Sequence, residues 1–179
     1  MVWVQRELDA LHIAPLKRFG QHFLVDTNVR DQLVQQANLT DTDTVLEIGP
    51  GLGFLTAALA SKAQRVIAVE KDRTLAIYLK EKFSERTNVM ILHADALTIS
   101  IPDHAKIVSS PPYNISSKLI IKILNSHFRT STLLLQEEFK ETDSSKWVTG
   151  LRKINSNASV HSPSETSQQS AEISFLSKP

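Results

Sequence analysis

The sequence contains no cysteine, and this absence excludes several kinds of chemistry. Without thiols the chain has no disulfide framework, no thiolate-ligated metal and no cysteine nucleophile. The absence is compatible with a reducing compartment. The histidines, among them His12, His104 and His127, lack the spacing of metal ligands, so we predict no metal site.

Long apolar runs and a strong excess of one charge are also missing. No stretch approaches the roughly 20 apolar residues that cross a bilayer, and residues 1–11 lack the apolar core of a signal peptide. We therefore expect a soluble, cytoplasmic chain with no membrane partner. The formal net charge of +1 gives no overall attraction to polyanions, so nucleic-acid binding would need a local basic surface.

Composition changes once along the chain, near Thr142, where periodic apolar positions give way to a segment rich in serine. The total length of 179 residues is enough for one domain with a substantial core. We divide the chain into an N-terminal segment (residues 1–26), a central domain (residues 27–141) and a Ser-rich tail (residues 142–179). Few core-forming residues occur in the tail, a composition typical of disorder.

Short β-branched runs alternate with helical patterns in the central domain. Predicted strands cover residues 44–48, 65–70, 89–93, 106–109 and 132–135, and predicted helices cover residues 28–39, 54–61, 73–83 and 116–124. Asp26 or Thr27 is the expected N-cap of the first helix. This alternation predicts an α/β fold with a doubly wound, mostly parallel sheet and helices on both faces. Ligands bind such sheets beyond the carboxyl ends of the strands.

A glycine-rich turn follows the first predicted strand, with the sequence EIGPGLG at residues 47–53. Gly49 and Gly51 allow backbone conformations and close approaches that a side chain would block. The G-x-G-x-G spacing differs from the G-x-G-x-x-G of dinucleotide folds, and Pro50 removes a backbone donor that a pyrophosphate would use. The turn therefore favours a nucleoside ligand without phosphates.

Acidic residues follow the second and third predicted strands. Glu70 ends the second strand, where a carboxylate can accept hydrogen bonds from both ribose hydroxyls. Asp95 follows the third strand and is placed to accept a hydrogen bond from an adenine amino group. A glycine turn with one acid is also compatible with a plain structural turn, but two acids at successive strand ends favour a binding site.

The fourth predicted strand is followed by the sequence SSPPYN at residues 109–114. An exocyclic amino nitrogen is a poor nucleophile because its lone pair is delocalised into the base. If the Ser110 side chain and the Pro111 carbonyl accept hydrogen bonds from the amino group, the nitrogen shifts toward sp³ and its lone pair can attack a sulfonium methyl. Tyr113 would stack on a base extruded from its helix. A proline-stabilised loop without chemistry is the alternative.

These motifs lie within a segment, about residues 15–141, that resembles a known family. It resembles the ribosomal RNA adenine N6-dimethyltransferases, whose members convert two adjacent adenines near the end of small-subunit RNA to dimethyladenines. The matching motifs are RFGQHFL at residues 18–24, residues 47–56, VEKD at 69–72, HADA at 93–96, PYNIS at 112–116 and LQEE at 135–138.

The resemblance implies a Rossmann-like class I fold that binds S-adenosylmethionine. It implies that His22 and Leu24 line the cofactor pocket and that Gly49 and its neighbours, Gly51 among them, approach the methionine part of the cofactor. Glu70 and Asp95 then hold the ribose and the adenine, and position 110 accepts the amino protons and borders the cofactor. The expected partner is small-subunit ribosomal RNA or a pre-ribosomal particle, bound by a monomer. The expected location is the cytoplasm, or the nucleolus or mitochondrion of a eukaryote.

The sequence departs from the family pattern at two places. The family typically has asparagine where this chain has Ser110, and Ser-Pro-Pro-Tyr is also found in enzymes resembling DNA cytosine N4-methyltransferases. Family members continue with a strand pair and a small helical domain, which we expect this chain to lack after Thr142. The strand carrying Leu133, Leu134 and Leu135 would then be an exposed apolar edge.

Three alternatives to the adenine methyltransferase stay open at this point. One is an amino-methyltransferase acting on another base in DNA or RNA. A second is a catalytically impaired RNA-binding assembly factor that keeps the cofactor pocket. The third, a nucleotide-dependent oxidoreductase, is disfavoured by the glycine spacing and by the loop at residues 109–114.

Overall fold

A computed structural model of the chain describes residues 26–135, 159–161 and 172–177. Helices and strands alternate through the first of these ranges. In chain order the elements are α1 (Thr27–Gln36), β1 (Thr44–Ile48), α2 (Phe54–Ala60), β2 (Arg65–Glu70), α3 (Arg73–Lys82), β3 (Val89–His93), β4 (Lys106–Ser109), a 3-10 turn (Tyr113–Ile115), α4 (Ser116–Leu124), β5 (Thr130–Leu135), β6 (Ser159–His161) and β7 (Glu172–Ser177). No helix within these ranges has the length and hydropathy that crossing a membrane requires.

Local chemistry explains where the helices begin and end. The Asp26 side chain caps α1 by accepting hydrogen bonds from the backbone amides of Asn28 and Val29. The helix ends at Gln36, three residues before the predicted end, and Asn38 adopts a φ of 44°. This left-handed conformation is a common way to stop a helix. The α3 helix has an equivalent N-cap in Asp72.

The strands form one sheet in the order β3-β2-β1-β4-β5-β7-β6. From β3 to β5 every neighbouring pair is parallel, which confirms the predicted doubly wound fold. The chain moves outward from β1 through β2 to β3 and then returns to β4 on the other side of β1. This reversal of direction places a crevice between the carboxyl ends of β1 and β4.

Strand β5 was expected to be an exposed edge for lack of further strands, and this expectation is wrong. Strand β7 pairs with it in parallel over six residues, and β6 pairs antiparallel with β7. The sequence of β7, EISFLS, contains β-branched and aromatic residues that suit a strand. This strand was not predicted from the sequence because the composition was averaged over the whole Ser-rich segment. The boundary near Thr142 stays a prediction, because it lies outside the described residues.

The core lies on both faces of the sheet. One buried cluster joins Leu46, Ile48 and Ile107 of the strands to Leu119 and Ile123 of α4. A second cluster on the other face joins Val45 and Val108 to residues of α1 and α2, namely Leu33, Leu55 and Leu59. Because adjacent strand residues point to opposite faces, both layers of helices are packed on the same strands.

A buried carboxylate with several partners lies at the amino-terminal edge of the sheet. Asp43 Oδ2 is 2.9 Å from Lys106 Nζ, and its Oδ1 is 3.0 Å from Arg129 Nη1. The backbone amide of Thr40 donates to Asp43 Oδ2 at 2.7 Å. Burial raises the Asp43 pKa, but the hydrogen bonds from Lys106 and Thr40 outweigh it and hold the pKa below its ordinary value.

Glu47 is also a buried carboxyl group, but its pKa is shifted in the opposite direction from that of Asp43. Its side chain is on β1 and the residue is only 1% exposed. Among the described residues, neither Glu47 Oε2 nor the buried Thr56 hydroxyl has a hydrogen-bond partner. Burial raises the pKa of Glu47 to about 8; the nearby Thr56 hydroxyl opposes this shift and the charge of Glu70 adds to it. Glu47 is therefore mostly protonated at neutral pH.

Asp43→Ala should destabilise the fold by about 3–5 kcal/mol at pH 7, because Lys106 is left buried without its counter-ion. Since the folded-state pKa of Asp43 is depressed, its contribution is present above the unfolded-state pKa near 3.8 and is lost as pH falls through the folded value. Urea unfolding at several pH values measures both effects. Asp41→Ala removes an exposed carboxylate and should change stability by less than about 0.5 kcal/mol. Equal losses in the two variants would contradict the prediction.

Glu47→Gln should make the fold more stable at alkaline pH. The folded-state pKa of Glu47 lies above its ordinary value of 4.5, so the unfolded chain loses this proton first as pH rises. Wild-type stability therefore falls between about pH 4.5 and pH 8, by an amount on the order of a few kcal/mol. Thermal unfolding should show a higher Tm for the variant at pH 8 and little difference at pH 5. The exposed Glu81→Gln serves as the control, and a parallel pH dependence in wild type and Glu47→Gln would refute the assignment.

Candidate active site

An open cleft lies at the carboxyl ends of the central strands. It falls at the point where the strand order reverses, as expected for a doubly wound sheet. The residues lining it are Ile48 and Gly49, residues 69–72, residues 94–96, and Pro112, Asn114 and Ile115. Its walls thus combine the ends of β1, β2 and β3 with the loop that follows β4.

The glycine turn brings backbone against the neighbouring loop at the cleft. Gly49 has a φ of 71°, a left-handed conformation that favours glycine. A Cβ atom on Gly49 would lie 2.9 Å from Pro112 Cδ, closer than side chains pack. Glycine is therefore required here both by conformation and by the approach of the loop after β4.

Glu70 holds the end of β2 to the glycine turn. Its Oε2 accepts a hydrogen bond from the Gly51 amide at 3.2 Å, and its Oε1 accepts one from the Asp72 amide at 2.9 Å. Burial raises the pKa of Glu70; the two amides oppose this shift, and the charge of Asp72 adds to it. Each oxygen keeps a further lone pair, so Glu70 can still accept hydrogen bonds from a ligand.

Asp95 faces the same cleft from the end of β3. Its Oδ1 accepts a hydrogen bond from the Leu97 amide at 2.9 Å, and its Oδ2 is 2.8 Å from Lys71 Nζ. The hydrogen bond from Lys71 lowers the pKa of Asp95, and the Leu97 amide adds to the effect. The carboxylate is therefore ionised at neutral pH and can accept a hydrogen bond from an amino group.

The loop after β4 is anchored on both sides of Ser110 and Pro111. Ser109 Oγ donates a 2.6 Å hydrogen bond to the Ile48 carbonyl, which ties the loop to β1. The Pro112 carbonyl accepts a hydrogen bond from the Ile115 amide at 3.1 Å, inside the 3-10 turn that leads into α4. Together with the Gly49 contact, these bonds position the loop over the glycine turn.

The structure brings several of the predicted site residues together. Gly49, Glu70 and Asp95 line the cleft, and Gly51 contacts Glu70. Ser110, half-buried, and Pro111, buried, belong to the anchored loop but do not line the cleft.

The remaining predicted residues stay predictions. The backbone of Tyr113 starts the 3-10 turn, and its side chain lies outside the described positions. His22 and Leu24 lie outside the described residues, as does the whole N-terminal segment before Asp26.

Three polar cleft residues, Lys71, Asp72 and Asn114, were not predicted as site residues. They lie within two positions of predicted ones, in the VEKD and PYNIS motifs, and this proximity was the available signal. In the described ranges, no group of three or more histidine, aspartate or glutamate side chains could hold a metal ion. The cleft therefore offers apolar walls and carboxylate acceptors, a combination that fits a flat ligand bearing hydroxyl and amino groups.

Known proteins resemble this chain over the part that contains the cleft. The profile of the family described as ribosomal RNA adenine dimethylase matches residues 16–147. A probable ribosomal RNA small subunit methyltransferase A of Methanosarcina mazei is 45% identical over 121 residues, covering 68% of this chain and 45% of that protein. A mitochondrial ribosomal RNA small subunit methyltransferase of Arabidopsis thaliana is 40% identical over 140 residues, covering 75% of this chain and 36% of that protein.

Two solved structures show the same arrangement of strands and helices. The 23S rRNA methyltransferase ErmE superposes with a TM-score of 0.65 at 34% identity, over 70% of this chain and 52% of that chain. A dimethyladenosine transferase from Plasmodium falciparum superposes with a TM-score of 0.62 at 31% identity, over 67% of this chain and 45% of that chain. The fold is thus that of methyltransferases.

The chain spans less than half the length of these two curated relatives. The matched region nevertheless includes the glycine turn, both acidic strand ends and the loop after β4. Since the family profile covers well over half of the sequence, this chain belongs to the ribosomal RNA adenine dimethylase family.

Proposed function

We propose that this chain transfers methyl groups from S-adenosylmethionine to the N6 amino group of adenine in small-subunit ribosomal RNA, forming dimethyladenosine. Family membership and the names of the relatives support the reaction and the substrate class. The observation that carries the proposal is the meeting of Glu70 and Asp95 at the glycine turn, beneath a loop anchored by Pro112.

The cleft residues fit the cofactor. Ile48, Val69 and Ala94 supply apolar surface for the base, as ligand sites of this kind do. Glu70 would accept hydrogen bonds from the ribose hydroxyls, and Asp95 would accept one from the adenine amino group. The turn at Gly49, without a side chain, leaves room for the methionine part. From the family resemblance, His22 and Leu24 complete this pocket.

The cofactor supplies an electrophilic methyl group on a sulfonium, and the chain has to make the target nitrogen nucleophilic. The Ser110 hydroxyl and the Pro111 carbonyl would accept hydrogen bonds from the two amino N–H groups and localise the nitrogen lone pair. Tyr113 would stack against the extruded base, a contact worth about 1–3 kcal/mol. A serine reaches less far than the asparagine typical of the family, so this chain should transfer methyl groups more slowly than an asparagine variant.

The proposed partner is small-subunit ribosomal RNA, presented in a pre-ribosomal particle and bound by one copy of the chain. We propose the cytoplasm as the place of action, or in a eukaryote the nucleolus or mitochondrion, where ribosomes are also assembled. The Arabidopsis relative carries a mitochondrial name. A local basic surface is needed for this interaction, because the net charge is only +1.

A second candidate is an RNA-binding assembly factor that binds the cofactor without transferring a methyl group. The position of Ser110, which does not line the cleft, favours this reading. A further candidate is an amino-methyltransferase that acts on another base, and the Ser-Pro-Pro-Tyr motif that contains Ser110 supports it. Analysis of the methylated nucleoside separates both candidates from the leading proposal.

S-adenosylhomocysteine, but not NAD, should raise the melting temperature of the wild-type chain.

Glu70→Ala should weaken the binding of S-adenosylhomocysteine about 10-fold to 150-fold, because a charge-assisted hydrogen bond contributes about 1.5–3 kcal/mol. The pKa of Glu70 is raised and that of Asp95 is lowered, so acidification protonates Glu70 first. Affinity should therefore fall as pH drops through the raised Glu70 pKa. Isothermal titration measures it, with the exposed Glu81→Gln as control; equal binding by Glu70→Ala would contradict this role.

Ser110→Asn should increase methyl transfer, whereas Ser110→Ala should lower it about 100-fold or more, as loss of one transition-state hydrogen bond does. The assay incubates labelled S-adenosylmethionine with immature small ribosomal subunits and identifies the product nucleoside. Dimethyladenosine is the expected product. A wild-type chain that binds cofactor but transfers nothing, with Ser110→Asn active, would establish the second candidate. Absence of methylated adenosine from every variant would rule out the proposed reaction.

A further inference from the structure

The three carboxylates of the cleft are held in different ways. Glu70 accepts hydrogen bonds from backbone amides at both oxygens, and Asp72 Oδ1 accepts two from the first turn of α3. Asp95 also uses one oxygen for a backbone amide, that of Leu97, but its Oδ2 is bound by the Lys71 ammonium. Backbone amides cannot leave their acceptors without moving an element of the fold, whereas a lysine side chain can rotate away.

Lys71 is well suited to such an exchange. Its side chain is 64% exposed, while that of Asp95 is 31% exposed. An ion pair in this setting gives little net stability, because water solvates both groups and the lysine loses rotamer freedom when it is held. Lys71 also lines the cleft, so its ammonium occupies the space in front of Asp95 Oδ2. We call Lys71 and Asp95 the cleft ion pair.

We propose that Lys71 competes with the amino group of the bound adenine for Asp95 Oδ2, and so lowers both the affinity of the site for adenine and its selection for an amino-bearing base over a keto-bearing one. This inference rests on the proposed function, in which Asp95 holds the adenine. When the ligand enters, its amino group donates to Oδ2 and the Lys71 ammonium moves into water. Lys71 is a specificity-determining residue and takes no part in the methyl transfer.

Two observations support the competition. The hydrogen bond from Lys71 is the largest influence on Asp95 and keeps its pKa low, so the acceptor is ionised before the ligand arrives. The geometry is that of a donor already in place, with a 2.8 Å separation between Lys71 Nζ and Asp95 Oδ2. The ligand amino group therefore replaces an existing partner of Asp95, and breaking the cleft ion pair lowers the affinity of the site.

The base that carries a keto oxygen in place of the amino group provides the matched ligand. S-inosylhomocysteine has a keto oxygen in place of the amino group and a proton on the adjacent ring nitrogen, and its keto oxygen presents an acceptor toward Asp95. Two acceptors facing each other repel, and the Lys71 ammonium can bridge them as a donor. Loss of the ammonium should therefore help the amino ligand and harm the keto ligand.

Isothermal titration of the full chain tests this with Lys71→Met and Lys71→Gln, both of which remove the charge. At about 50 mM salt, S-adenosylhomocysteine should bind both variants about twofold to fivefold more tightly than wild type, the range expected for a partly exposed ion pair. The difference should shrink at about 1 M salt, where screening acts over about 3 Å. S-inosylhomocysteine should bind the variants more weakly. Lys62→Met removes an exposed lysine that precedes β2 at the opposite edge of the sheet and should change neither affinity.

The outcomes separate this inference from the proposed function. Wild-type binding of S-adenosylhomocysteine with tighter binding by the Lys71 variants supports both. Unchanged or weaker binding by Lys71→Met and Lys71→Gln overturns the competition and leaves the proposed function standing. A gain of the same size for Lys62→Met shows a general charge effect and also overturns it. A wild-type chain that does not bind S-adenosylhomocysteine overturns the proposed function and the inference together.

Discussion

The hydrogen bond between the Gly51 amide and Glu70 Oε2 joins the ends of β1 and β2, and the rest of the site depends on it. It requires the glycine turn to fold back over the sheet, which the left-handed conformations of Gly49 and Gly51 permit. The same turn receives Pro112 from the loop after β4. One backbone conformation thus sets the distance between the carboxylate at β2 and the loop proposed to bind the target base.

This arrangement buries acidic side chains, and their burial costs free energy. Glu47 and Glu70 lie on neighbouring strands, and both have raised pKa values, chiefly through burial. Glu47 avoids ionisation at neutral pH, whereas Glu70 is stabilised as an acceptor by two backbone amides. At the other edge of the sheet, Asp43 is fully buried yet bound by Lys106 and Arg129. Among the described residues, two of the three buried side-chain atoms without a hydrogen-bond partner belong to Glu47 and Thr56, on either side of the glycine turn, and the third is Ser131 Oγ on β5.

The sequence predicted which strand-end residues meet at the cleft better than it predicted the directions of their neighbours' side chains. Glu70 and Asp95 were predictable because parallel strands bring their carboxyl ends to one edge of the sheet. The bounds of β1 and α4 also agree with the predicted ranges. Strand β7 was missed because composition was averaged over a long segment, and Lys71 was missed because only coordinates show that its ammonium reaches Asp95.

The departure at position 110 is separable from the proposed cofactor site for a structural reason. Ser109, the preceding residue, is buried and bonded to the Ile48 carbonyl, and Pro111 and Pro112 limit the backbone that follows. The path of the loop is therefore set by residues on both sides of Ser110. A change of side chain at that position alters the length and chemistry of the proposed acceptor while the glycine turn, Glu70 and Asp95 keep their places. Under the proposed function, such an arrangement would allow the transfer step to be retuned or lost while the cofactor still binds.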